Sequence, residues 1–138
     1  MEQVAVPGIG FQLTDEQQML QKLARDFAAQ EIIPQAEHFD RSAEFPIEIV
    51  NKGRKIGLVN LNVPEEYGGP GANVLDECIV SEELAYGCSG ISTAMSVNNL
   101  SSLPIRIGGT EQQRAYWLGE RMMDKGDLAA YCVTEPGA

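Results

Sequence analysis

Apolar positions in the first quarter of the chain recur at helical spacing. Leu20, Leu23, Ala24, Phe27, Ala28 and Ile32 follow one another at i, i+3 and i+4, the pattern of a helix with one face toward a core. Thr14-Asp15-Glu16-Gln17 precedes them with the form of a capping box, a hydroxyl at the N-cap and Gln three residues on. Pro34 is predicted to end or kink this helix, and His38 to Ala43 reads as a polar connection. Pro46 at a first helical position and Gly57 at a C′ position bracket a second, short helix. Leu58, Asn60 and the run to Val63 read as extended, stopped by Pro64. Pro64 to Gly71 is a loop by composition. Its glycines are not followed by Lys-Ser/Thr, so it reads as a turn and not as a phosphate cradle.

The second half continues in the same manner. Asn73 is placed to cap a helix from Val74 to Tyr86, closed by Gly87, with Leu75, Cys78, Ile79 and Glu82 along one side. Ser89 starts the next, where Ile91, Ala94, Met95 and Asn98 trace a mixed apolar and polar stripe. Pro104 is predicted to break that helix near its end, and Gly108-Gly109 to finish the segment. A second capping box, Thr110-Glu111-Gln112-Gln113, opens a short amphipathic helix with Ala115, Trp117 and Leu118, ended by Gly119. Trp117 at that spacing reads as a core anchor. From Leu128 to Thr134 the cap signals stop and β-favouring residues enter, so this stretch is predicted to be a strand, with Glu135-Pro136-Gly137 a turn. A lone strand cannot satisfy its own backbone. It is expected to pair with another copy, to fray, or to belong to a sheet outside these residues. The predicted fold class is all-α, a multi-helix domain with one truncated strand at its C-terminal end.

Composition narrows the function classes. The chain has 138 residues, a length that buries about 68–70% of its unfolded surface and needs no staples. Twenty Asp and Glu against ten Lys and Arg give a formal charge of −10. That field repels phosphate backbones and argues against a general nucleic-acid binder. No run approaches the roughly 18 consecutive apolar residues of a membrane span, and Met1 to Gly10 lack the pattern of a signal or transit peptide. Cys78, Cys88 and Cys132 are odd in number and lack CxxC spacing, which predicts buried free thiols and a reducing compartment. His38 has no second His or Cys at metal-ligand spacing, so no metal site is expected. Glu82-Glu83 has the composition of paired catalytic acids, but adjacent helical residues diverge, which favours a solvated or structural role.

Ser81-Glu82-Glu83-Leu84-Ala85-Tyr86-Gly87 and Tyr131-Cys132-Val133-Thr134-Glu135-Pro136-Gly137-Ala138, with the helical order around them, resemble the acyl-CoA dehydrogenase family, its medium- and short-chain members in particular. The resemblance runs from about Phe11 to Ala138. It implies residues 1–127 as the N-terminal helical domain and 128–138 as the start of a middle β-domain. It implies FAD in the complete enzyme, with Tyr131, Val133 and Thr134 lining the flavin ring. It further implies an acyl-CoA substrate whose chain lies along Thr93, Ala94, Ser96, Val97 and Leu100. Cavity depth there would set chain-length preference, since each buried methylene contributes about 0.8 kcal/mol. The implied reaction is α,β-dehydrogenation of the thioester. Its carboxylate base belongs to a later helical domain, so no catalytic residue is expected within this chain, which alone is expected to be inactive. An electron-transfer flavoprotein as acceptor, a homo-oligomer (a tetramer when complete), and a bacterial cytoplasmic or mitochondrial-matrix location follow from the same resemblance. Two other readings stand beside it: a non-catalytic helical interaction module, and a relative on the same scaffold with flavin monooxygenase or nitroalkane oxidase chemistry.

Overall fold

A computed structural model describes residues 12–137. The leader reading of Met1 to Gly10, and Phe11 and Ala138 at the two ends of the resemblance, lie outside the described residues. Helix α1 (Asp15–Phe27) begins at the expected box: Gln17 N donates to Thr14 Oγ1 at 3.2 Å and Thr14 N to Gln17 Oε1 at 3.1 Å. Ala24, Phe27, Ala28 and Ile32 are buried as the spacing predicts, while Leu23 stands at the rim. Approaching Pro34, the ladder widens into π-helical turns (Ala28–Ile32) and then tightens into a 3₁₀ turn (Ile33–Gln35). Proline has no N–H for the regular ladder and its ring crowds the preceding turn, so the helix is redirected here and not ended. The expected polar connection after it is helical instead. Helix α2 (Ala36–Ser42) carries a Glu37–Arg41 ion pair at 2.6 Å on its outer side and rests Phe39 against the core.

Helix α3 (Ile47–Lys55) follows Pro46, which takes the N-cap, one place earlier than expected. Ile49 and Val50 are fully buried, and Gly57 just past the helix has φ +78°, the left-handed turn that favours glycine. Residues 58–63 are not extended. They form successive tight turns with Leu58, Val59, Leu61 and Val63 buried and Asn60 at φ +61°. The apolar run serves two separate cores, Leu58, Val59 and Leu61 in one and Val63 in the other. A straight strand could not deliver side chains to both, and an asparagine tolerates the left-handed bend that does.

Helix α4 (Val74–Gly87) is capped by Asn73, whose Oδ1 accepts from Leu75 N at 2.9 Å and Asp76 N at 3.1 Å. Its buried side is Ile79, Val80, Glu83 and Leu84, whereas Leu75, Cys78 and Glu82 are exposed. Acidic and apolar residues are spread around the helix, Asp76, Glu77, Glu82 and Glu83 among them, so periodicity did not select a face. What selects it is Glu83, which pairs with Arg25 of α1, whose guanidinium also lies 4.3 Å from the centre of the Tyr86 ring. Helix α5 (Ser89–Gly108) buries Ile91, Met95 and Asn98 as expected but runs straight through Pro104. The carbonyl that loses its donor belongs to Leu100, on a half-exposed face in the last turns, where water can replace the missing bond. Helix α6 (Glu111–Arg114) starts at the Thr110 capping box and continues past Gly119 as π-helical turns (Ala115–Asp124). Leu118 and Met122, both buried, anchor the extension against Val63. Trp117, expected in the core, is exposed and meets Tyr116 edge-on at 4.9 Å.

Helix α4 packs between α1 and α5, and their facing sides with α3 and the 58–61 turns enclose the main core. The predicted strand at 128–134 is not formed: the segment has no ladder partner among the described residues. A strand is a property of a pair, and here there is no second edge to pair with. No helix is long and apolar enough to cross a membrane among those residues, and no group of His, Cys, Asp and Glu there could hold a metal. Cys78 and Cys132 are exposed and Cys88 is half-buried, contrary to the expectation of three buried thiols. Cys78 lies on the outer face of α4 and Cys132 in the unpaired segment, whereas Cys88 packs at the edge of the main core.

Candidate functional site

Helix α5 presents Thr93, Ser96, Val97 and Leu100 on neighbouring lines, because steps of three and four residues stay on one face. Thr93 and Leu100 are exposed, Ser96 and Val97 half-buried. Both hydroxyls are turned back onto the helix: Thr93 Oγ1 donates to Ser89 O at 2.8 Å and Ser96 Oγ to Thr93 O at 3.3 Å. Self-satisfied hydroxyls make this face less polar than its composition suggests. Ser96 and Leu100 border a groove of about 670 Å³ between α4 and α5, with Ala72, Val74 and Leu103 supplying apolar wall. Ala94 departs from this set. It points into a different hollow, of about 540 Å³, with Phe39, Phe45 and Ile91.

Two charged groups and three amides, Asn62, Asn73 and Asn99, complete the groove. Glu77 sits half-buried in its wall; burial pushes its carboxyl above the ordinary value of 4.5, and the positive charge of Arg106 opposes that rise. Asn99 is nine-tenths buried, and its Oδ1 has no hydrogen-bond partner among the described residues. The sequence reading passed over Glu77, Asn99 and Arg106. The consecutive Asn98-Asn99 in a stripe of small and apolar residues was the available signal.

Behind this face runs a polar seam. Asn62 Nδ2 donates to Asn99 O at 2.9 Å, and Ser102 Oγ to Asn62 Oδ1 at 3.2 Å and to Asn99 O at 2.9 Å. On the adjacent residue of α5, Asn98 Nδ2 donates to Asn60 Oδ1 and to Asp127 O, each at 2.9 Å, and Asn98 Oδ1 accepts from Ala129 N at 2.8 Å. The chain reaches Ala129 through Gly126, at φ +70°, where an added Cβ would stand 2.6 Å from the Arg54 guanidinium. Arg121 and Asp127 pair at 2.6 Å beside it. Beyond Ala129, Tyr131, Val133 and Thr134 are exposed, and their backbone groups bond to no other backbone among the described residues. The structure therefore joins the 127–129 segment to α5, and leaves 131–134 projecting from that attachment.

Comparison with known proteins gives this arrangement a family. A worm protein, the probable medium-chain specific acyl-CoA dehydrogenase 2, mitochondrial, of Caenorhabditis briggsae, is 38% identical over 130 residues, covering 94% of this chain and 32% of its own length. Butyryl-CoA dehydrogenase from Megasphaera elsdenii superposes with a TM-score of 0.82 at 31% identity, over 94% of this chain and 35% of that one. An acyl-CoA dehydrogenase complexed with FAD from Bacillus anthracis does so with a TM-score of 0.75 at 31% identity, over 91% and 22%. The chain thus spans about a third of the length of the curated relatives it matches. The family model described as acyl-CoA dehydrogenase, N-terminal domain, matches residues 14–124, from the Thr14 cap to the end of the last helical turns. This chain belongs to the acyl-CoA dehydrogenase family, as an all-α N-terminal domain.

Proposed function

We propose that this chain is the N-terminal portion of an FAD-dependent acyl-CoA dehydrogenase that removes hydrogen from the α and β carbons of an acyl-CoA thioester. Residues 1–127 form its helical domain and 128–138 enter a middle β-domain. Support for the reading comes from the attachment of Ala129 to Asn98 of α5, the helix that also carries Thr93, Ser96, Val97 and Leu100, with Tyr131, Val133 and Thr134 following a few residues on. Acyl chain and flavin must meet in the reaction, and these are the two surfaces assigned to them.

The residues present fit the cofactor. Free backbone N–H and C=O groups at 131, 133 and 134, with the Thr134 hydroxyl, match the alternating acceptors and donor of a flavin's pyrimidine edge. When bound, FAD supplies the hydride acceptor. The chain's own part is to hold the ring through those groups and to exclude water from the acyl chain with Val97 and Leu100, Thr93 and Ser96 having their hydroxyls already engaged. Ala94, facing the other hollow, contributes to the wall from the side of Phe39 and Phe45. The proton at the α-carbon is taken by a carboxylate outside these residues, so the chain alone is inactive. An electron-transfer flavoprotein as acceptor, a tetrameric complete enzyme, and a bacterial cytoplasmic or mitochondrial-matrix location belong to the same reading.

Flavin absorbance tests it. The 138-residue chain purified alone is expected to be colourless, and the complete enzyme to be yellow and bleached anaerobically by one or more members of an acyl-CoA series. In the complete enzyme Thr134→Val is expected to weaken FAD binding or slow its reduction. A complete protein that carries FAD yet is reduced by no acyl-CoA overturns the dehydrogenase reading.

A further inference from the structure

We infer that Asn98 is a positioning residue, tying the flavin-side segment to the acyl-side helix and so setting the distance between them; this rests on the function proposed above. Its side chain is 1% exposed and its bonding capacity is nearly exhausted. Both Nδ2 hydrogens are committed, to Asn60 Oδ1 and Asp127 O, and Oδ1 receives the Ala129 N–H. Asn60 in turn donates to Met122 O at 3.0 Å. One residue of α5 therefore collects the 58–63 turns, the last helical turns and the departing chain.

The chemistry required is narrow. A primary amide offers two donors and an acceptor in one plane; a carboxylate has only acceptors, and leucine has neither. Hydrogen bonds are directional where apolar contacts are not, and the departing segment has little apolar anchorage, with Ala129 half-buried and Tyr131 and Val133 exposed. Tyr131 follows Ala129 by two residues, at most about 7 Å of chain. Val97, on the assigned acyl face, is the residue before Asn98. A side chain that fixes Ala129 thus limits how far the flavin-side residues can drift from that face.

The test uses two readouts. In the 138-residue chain, Asn98→Ala is expected to speed amide exchange at Ala129 at least tenfold while the Leu84 amide of α4 keeps its wild-type rate. Unchanged exchange at Ala129 overturns the tie, and so does an equal increase in α4, which would make Asn98 a general stabiliser. In the complete FAD-loaded enzyme, Asn98→Ala is expected to slow flavin reduction at least tenfold with less than a twofold change in acyl-CoA Kd, and Asn98→Gln to recover part of the rate. A reduction rate equal to wild type, or equal losses in rate and affinity, refutes the positioning role. Ala129→Pro deletes the same bond from the departing segment without altering a helix; it is expected to slow reduction likewise, and serves if Asn98→Ala does not fold, a wild-type rate again counting against the tie. A wild-type complete protein without FAD would refute the proposed function and the flavin-side role with it. Loss of effect in the variants against a flavin-loaded wild type refutes the tie alone.

Discussion

Two buried regions hold this domain together by different physics. Between α1, α3, α4 and α5 lies an apolar core of Ile32, Ile49, Val50, Leu58, Leu84 and Met95. Along the other side of α5 lies the seam of Asn60, Asn62, Asn98, Asn99, Ser101 and Ser102, equally buried and almost wholly polar. Burial of the first is favourable in nearly any arrangement that excludes water. Burial of the second is offset by directional hydrogen bonds among its amides, hydroxyls and backbone groups, with Asn99 Oδ1 left without a partner among the described residues. The core supplies stability, and the seam supplies register. It is the seam, not the core, that borders the assigned acyl face and holds the departing chain.

That contrast can be broken at either side. Ile49→Ala empties a fully buried site and is expected to cost about 2–5 kcal/mol, read as a fall in the midpoint of urea unfolding with an unchanged slope. Asn62→Ala removes a donor to Asn99 O and one of the two acceptors of Ser102 Oγ. The expected cost is about 1–3 kcal/mol, with faster amide exchange concentrated in 58–63 and α5. Uniform exchange changes in Asn62→Ala would show that the seam behaves like the core. Glu77→Gln is the mildest and is conditional on pH. The wild-type carboxyl has its pKa raised on folding, first by burial, so the native state binds the proton more readily than the unfolded chain. Its contribution is therefore greatest below the ordinary value of 4.5 and declines as pH rises through the elevated native value. The variant is expected to gain stability over wild type toward neutral pH and to match it in acid, in thermal melts across that range.

The sequence disclosed the helical elements better than their faces or their ends. Capping boxes at Thr14 and Thr110 and the Asn73 cap were legible because a cap is a local bargain between a side chain and amides three residues away. The buried side of α4 was not, because Glu83 is made internal by Arg25, 58 positions earlier. Pro34 and Pro104 share one residue type and differ in outcome, a helix passing into π and 3₁₀ turns against an uninterrupted one, although Gln30 and Leu100, four positions before each, are both exposed. At the candidate site, α5's stripe with Asn98 was visible in the spacing, whereas the seam required the bent 58–63 turns to bring Asn60 and Asn62 across from it. The strand expected at 128–134 is absent because β propensity and missing cap signals supply no pairing edge, and the described residues offer none.

The domain's lone tryptophan has a practical corollary. Trp117 stands half in solvent on the outer side of the last helical turns, against Tyr116. Its indole emission is expected to respond less to melting of the interior than that of a core tryptophan would. It will instead shift to the blue when another surface settles over that helix, so the molecule carries a built-in optical gauge of docking.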